Sequence, residues 1–186
     1  MLSYHRLLET VLAKGVPHKD RTGVGTVSLF GYEWRHDMAD GFPLISTKFV
    51  PLRLVFEELM WFLRGQTDEK ILQEKKVHIW SDWATAEKCA KFGRSEGELG
   101  PVYGSLFRNF GGWDTENDIN IPGRGVDQIA RLLEDLRTNP NSRRLIVSGW
   151  NPETVPLVEL PPCHTLWQLK AYEDGGLSLR LTQRSQ

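Results

Sequence analysis

The sequence predicts an α/β fold. Apolar residues recur at helical spacing in several stretches, and elsewhere they alternate with polar neighbours as a half-buried strand requires. The length of 186 residues, with 40% hydrophobic and 25% charged, is enough for one domain spanning residues 1–186 with a real core. No internal repeat, low-complexity tract or Pro/Ser-rich linker divides the chain.

Leu2, Leu7, Leu8, Val11 and Leu12 predict an opening helix, with Gly15 and Pro17 as its stop. Residues 20–26 read as a glycine-bearing loop, and Val27 and Leu29 begin a strand after it. The Gly23-Val24-Gly25 run lacks the third glycine of a dinucleotide fingerprint. From Pro51 to Arg64 the pattern is helical, with proline in the first turn and Gly65 past the end. Leu52, Val55, Phe56, Leu59, Phe62 and Leu63 fall on one face and Trp61 on the other, which predicts burial on two sides. Glu58 flanks this stripe, where partial desolvation would raise its pKa; a solvated surface glutamate fits the same spacing.

Residues 86–98 and 111–125 are polar and glycine-rich and read as surface excursions. Ile129, Leu132, Leu133 and Leu136 predict another helix, ending at Asn139-Pro140. Ser142-Arg143-Arg144 then leads into the apolar strand Leu145-Ile146-Val147. In the last segment Leu177, Leu179 and Leu181 alternate with polar residues after Asp174-Gly175-Gly176, the pattern of a hairpin. A turn centred on Asp174-Gly175 sets Cys163-His164 opposite Arg184-Ser185-Gln186.

Charge and cysteine content narrow the partners. Net charge is −1, so no global positive field recruits DNA or an anionic membrane, and there is no long apolar run or signal peptide. Anion binding must come from local basic clusters. Cys89 and Cys163 are too few for a disulfide framework or a thiolate zinc site, and the five histidines lack ligand spacing, so no metal is expected and a reducing, cytoplasmic setting fits. Seven tryptophans exceed ordinary core filling; Trp61, Trp80, Trp83 and Trp150 can be core residues or can face a ligand.

The hairpin makes Cys163 and Arg184 neighbours, and a guanidinium favours thiolate over thiol, which would make Cys163 a nucleophile. A cysteine at a strand end also serves as core filler. Cys163 and His164 are adjacent on a strand and point to opposite faces, which argues against a cysteine–histidine dyad. Arg21, Arg143 with Arg144, and Arg184 with Ser185 suit a phosphate, since guanidinium forks bind its oxygens in bidentate fashion. Solvated surface arginines fit the same positions.

An ordered set of motifs resembles the thymidylate synthase family. It comprises Asp20-Arg-Thr-Gly, Asp40-Gly-Phe-Pro-Leu, Glu58-Leu-Met-Trp-Phe-Leu-Arg-Gly, Ile79-Trp-Ser-Asp-Trp, Gly100-Pro-Val-Tyr-Gly, Ser142-Arg-Arg, Trp150-Asn-Pro, Pro161-Pro-Cys-His-Thr-Leu and Gln183-Arg-Ser. The resemblance implies an α/β (α+β) fold with a mixed central sheet, helices on one face and a homodimer packed on the other. It implies a methyltransferase that converts dUMP to dTMP, with 5,10-methylenetetrahydrofolate giving both the one-carbon unit and the hydride. Cys163 would attack C6 of the pyrimidine, Glu58 would manage protons around pyrimidine and folate through ordered water, and Tyr103 would assist proton removal at C5. Arg21, Arg184 and Ser185 would clamp the phosphate, Arg143 and Arg144 would come from the other subunit, His164 would line the substrate site, and Trp80 and Trp83 would lie beside the folate.

A pyrimidine hydroxymethylase of the same superfamily shares these residues but quenches the intermediate with water. The family's C-terminal third, with its folate-binding aspartate and pyrimidine-reading asparagine, falls beyond Gln186, so the sequence is expected to be a piece of a longer protein. A chain naturally ending there would be an inactive nucleotide-binding module.

Overall fold

The leucine run at the start forms helix α1, Leu2–Lys14, in the computed structural model, which describes residues 2–19 and 23–184. Strands β1, Val16–His18, and β2, Thr26–Ser28, pair antiparallel after it, with Pro17 opposite Val27. Proline marks more than the end of the helix here: it is tolerated in β1 because that strand has a single neighbour. A single 3-10 turn, Met38–Asp40, is capped by the Asp37 carboxylate, which accepts the Ala39 amide at 2.9 Å. These elements belong to one unit, Met1–Leu52, and the remainder to a second, Arg53–Gln186.

The second unit opens with α2, Leu52–Leu63, and α3, Lys70–Glu74. A 3-10 turn at Ser81–Trp83 leads to α4, Ala86–Ala90, and then α5, Tyr103–Arg108. Short strands β3, Trp113–Asp114, and β4, Ile119–Asn120, pair before α6, Gln128–Thr138. Strands β5, Ile146–Ser148, β6, His164–Ala171, and β7, Leu177–Gln183, make an antiparallel sheet in that order. Among the described residues every strand pair is antiparallel, so helices and small antiparallel sheets make the fold α+β; the expected mixed sheet has no parallel pair here.

The core joins α2, α5, α6 and the sheet through Trp61, Phe62, Phe107, Leu132 and Val147. Burying Phe62 and Phe107 contributes about 1.5–3 kcal/mol each. Burial of α2 covers the Trp61 side and the adjoining Phe62 edge of the apolar stripe, not both faces as expected. Trp61 is 1% exposed, whereas Val55 and Phe56 of the apolar stripe are 46% and 60% exposed. Leu54 and Glu58 share the Trp61 side of the helix, and the larger surface of the indole anchors that side in the core.

The two stretches read as surface excursions are built structure. Thr85 caps α4 by accepting the Lys88 amide at 3.4 Å, and Cys89 is buried. The Asn109 amide group donates to Asn120 Oδ1 at 2.6 Å and to the Ile121 carbonyl at 2.8 Å, while its oxygen accepts the Gly125 amide at 2.8 Å. Hydrogen bonds hold this segment where apolar residues are scarce.

Gln128 locks α6 to β5: its oxygen accepts the Ser148 amide at 2.9 Å and its nitrogen donates to the Ser148 carbonyl at 2.8 Å. The predicted hairpin between β6 and β7 turns through Gly175 at φ +84°, and the Asp174 carboxylate accepts the Gly176 amide at 2.9 Å. Among the described residues no helix is long and apolar enough to cross a membrane.

Candidate functional site

Tyr103 is the first residue of α5 and is 5% exposed. Its ring lies 4.5 Å from Phe62, 5.6 Å from Phe107 and 5.8 Å from His164, centroid to centroid. Its hydroxyl accepts the amide of Cys163 at 2.7 Å and the amide of His164 at 3.0 Å, and it stands 3.1 Å from His164 Nδ1. Two amides occupy the lone pairs of the hydroxyl, so its hydrogen points to Nδ1 and the ring proton of a neutral His164 resides on Nε2. Burial pushes the His164 pKa down, in keeping with that neutral state. Burial also pushes the Tyr103 pKa up; the two amides oppose it, and charge at Cys163 and Glu58 adds to it.

Cys163 immediately precedes β6, and its carbonyl accepts the Arg184 amide at 2.9 Å. The neighbours inferred from the hairpin are therefore joined through their backbones. An irregularity between His164 and Leu166 shifts the register, so that His164 pairs with Gln183. The Arg184 guanidinium is seated on its own set of contacts. Nε donates to the Pro162 carbonyl at 2.9 Å, Nη2 donates to the Pro161 carbonyl at 3.1 Å, and the Trp150 ring lies 5.6 Å from its carbon. Proline nitrogens carry no hydrogen, and the 161–162 carbonyls lie outside the β6 ladder, available to a side chain.

Glu58 projects from α2, half-buried, and its Oε1 accepts the Trp80 indole N–H at 2.7 Å. Burial raises its pKa and the indole bond opposes the rise, in the direction expected from its place on the helix. Trp80 is 4% exposed and stands edge-on to Tyr103 at 6.3 Å. A continuous set of contacts thus runs from Glu58 through Trp80 and Tyr103 to His164 and Cys163. Trp83 is half-buried one turn away, with Lys88 Nζ 4.3 Å from the centroid of its ring.

Arg143 and Arg144 are exposed in the turn between α6 and β5, where the Arg144 amide donates to Ser142 Oγ at 3.1 Å. Arg144 borders an open groove of about 160 Å³ with Arg131, Asp135 and Ile146. Arg21 and Ser185 lie outside the described residues. The Cys163, His164, Tyr103, Glu58, Trp80 and Arg184 predictions meet in one linked set, and the Arg143-Arg144 pair stands apart on its turn. Sequence reasoning missed the seat of Arg184, although the Pro161-Pro162 pair directly before the cysteine was a signal for unladdered carbonyls. Among the described residues, no three His, Cys, Asp or Glu side chains are grouped to hold a metal ion.

The family model described as thymidylate synthase matches residues 2–186. Two similar relatives are the thymidylate synthases of varicella-zoster virus strain Dumas and of its Oka vaccine strain. Each is 43% identical over 187 residues, covering 99% of this chain and 62% of the relative. The chain therefore spans 62% of the length of these curated relatives. Matched along nearly its whole length, the chain belongs to the thymidylate synthase family.

Proposed function

We propose that the protein is a thymidylate synthase that reductively methylates dUMP to dTMP. The observation that carries this reading is the Tyr103 hydroxyl, which holds the backbone of Cys163 and the ring of His164 while Glu58 sits behind Trp80 in the same linked set. In it, the Cys163 thiolate adds to C6 of the pyrimidine and electron density moves to C5. Carbon 5 then forms a bond to the methylene carbon of 5,10-methylenetetrahydrofolate. Loss of the C5 proton, assisted by Tyr103, and departure of the folate amine leave an exocyclic methylene. Tetrahydrofolate delivers a hydride to that carbon and Cys163 leaves C6, giving dTMP and dihydrofolate. Glu58, its pKa raised by burial, exchanges protons with the pyrimidine and folate through water.

The same proposal gives Arg184, Arg21 and Ser185 to the phosphate of dUMP, with His164 lining the substrate site. The prolyl carbonyls and Trp150 pre-orient Arg184 for this, which lowers the entropy lost on binding. Trp83 and Trp80 lie toward the folate, and the deep burial of Trp80 gives it a second task, holding Glu58. Arg143 and Arg144 complete the phosphate site of a second subunit, and their exposure on a turn supports this.

A homodimer on the open face of the β5–β6–β7 sheet belongs to the proposal, as does a cytoplasmic location. Val147, Trp167 and Leu181 share the face that carries the helices, and Ile146 and Gln168, which pair with each other, are presented on the opposite one. The folate product decides between this reading and hydroxymethyl transfer. Full-length protein incubated with dUMP, dCMP and methylenetetrahydrofolate should yield dTMP and dihydrofolate. Hydroxymethylated nucleotide without dihydrofolate would overturn the assignment.

A further inference from the structure

Arg94 has a buried cation that the proposed reaction does not use. Its side chain is 6% exposed, and it grips Asp118 with Nε and Nη2, both at 2.5 Å. Nη1 donates to two carbonyls, Leu99 at 3.1 Å and Leu157 at 2.8 Å. Trp113 donates to the same Asp118 carboxylate at 3.0 Å, and the Phe92 ring lies 5.0 Å from the guanidinium carbon. The guanidinium lies flush against the backbone at Gly100, where an added Cβ would fall 2.1 Å from Nη1. The guanidinium is therefore held at once by the Asp118 carboxylate, the Leu99 and Leu157 carbonyls and the Phe92 ring.

The two carbonyls it holds are not equivalent to ordinary loop contacts. Leu99 begins the four-residue lead into Tyr103, and Leu157 ends the 3-10 turn Val155–Leu157, six residues before Cys163. One nitrogen thus spans the two segments that bring the Tyr103 hydroxyl and the Cys163 backbone together. Hydrogen bonds to a charged donor are stronger than neutral ones, and a small displacement transmitted to a reacting pair is costly in rate.

We propose that Arg94 is a positioning residue which, through the Leu99 and Leu157 carbonyls, sets the approach of Tyr103 to Cys163. The inference rests on the reading of Tyr103 and Cys163 as working groups of the site.

The test is Arg94→Lys in the full-length protein, which keeps the positive charge near Asp118 but cannot reach both carbonyls and both carboxylate oxygens at once. Readouts are taken well below the melting temperature of each variant. They are kcat and KM for dUMP, and the rate of iodoacetamide alkylation at Cys163, followed by mass spectrometry of its peptide. Alkylation needs no substrate, so it reports on positioning even if the wild type makes no dTMP, which would instead refute the proposed function. We expect kcat to fall by roughly 10-fold to 100-fold with KM for dUMP within about 2-fold, and the alkylation rate to change by roughly 3-fold or more. Should the lysine variant fail to fold, Asp118→Asn retains the Arg94 donors with a weaker anchor, and roughly a 10-fold loss of kcat is expected. A lower melting temperature with kcat and alkylation both unchanged would assign Arg94 to stability alone and overturn the proposal.

Discussion

The hydroxyl of Tyr103 stands 2.7 Å from the Cys163 amide nitrogen and 3.1 Å from His164 Nδ1, so one side chain on α5 holds both residues at the start of β6. Removing that oxygen strands two amide donors and leaves the imidazole without its hydrogen-bond donor. Tyr103→Phe should cost about 1–3 kcal/mol of stability, measured by urea titration, because the donors lose a buried acceptor. Turnover should fall by about 100-fold or more if the hydroxyl also handles a proton. Unchanged turnover would leave Tyr103 with a structural role only.

His164 gives a pH test of the same contact. Burial lowers its pKa, so the folded chain resists protonation while the unfolded chain takes the proton in the ordinary imidazole range. The stability His164 contributes is therefore full above that range and declines as pH falls through it. Protonation would place a hydrogen on Nδ1, facing the Tyr103 proton, and end that bond. NMR titration of the ring should give a midpoint below that of a model imidazole, and Tyr103→Phe should move it upward. An upward-shifted wild-type midpoint would contradict the buried, neutral ring.

Glu58 carries the opposite sign of linkage. Its pKa is raised by burial, so the folded chain keeps the proton after the unfolded chain has lost it. That contribution to stability is full below the ordinary carboxyl range and is lost as pH rises through the folded value. Glu58→Gln remains neutral throughout and its amide oxygen can still accept the Trp80 indole. The variant should match the wild type in acid and melt at higher temperature near neutral pH, while turnover falls by about 100-fold or more. A stability difference that grew toward acid would mean that the carboxylate, not the acid form, suits the site.

These contacts were unequally legible in the sequence. The pairing of Cys163 with Arg184 was readable because the Asp174-Gly175-Gly176 turn and a strict two-residue alternation fix a hairpin register to within a residue or two. The extent of α6 was readable from its leucines and from Asn139-Pro140. The burial of α2 was only half readable, because periodicity finds two apolar faces without saying whether both are covered, and the core takes Trp61 and Phe62 while Val55 and Phe56 stay exposed. Helix α4 is five residues long, too short for a helical period to be visible. The grip of Arg94 on Asp118 links positions 24 apart in sequence, which no local pattern announces.

Arg143 and Arg144 offer a test of shared sites, since they are exposed on the turn before β5 and stand apart from the contacts that join Glu58 to Cys163. If each site of a homodimer takes its cysteine from one subunit and this arginine pair from the other, two inactive full-length variants should complement. Cys163→Ser lacks a competent nucleophile, because a serine hydroxyl is far weaker than a thiolate, yet it should still bind dUMP. Arg143→Glu with Arg144→Glu repels the phosphate as well as losing its donors, so its own residual activity should be very low. After subunit exchange, one site of each mixed dimer has a normal cysteine and a normal arginine pair. Equal amounts and random exchange make about half the dimers mixed, each with one working site of two, so activity should recover to roughly one quarter of wild type in a symmetric dimer. Unmixed variants carried through the same exchange should stay inactive. Mixed dimers proven by mass spectrometry that recovered nothing would place the arginines in the site of their own subunit, or in none.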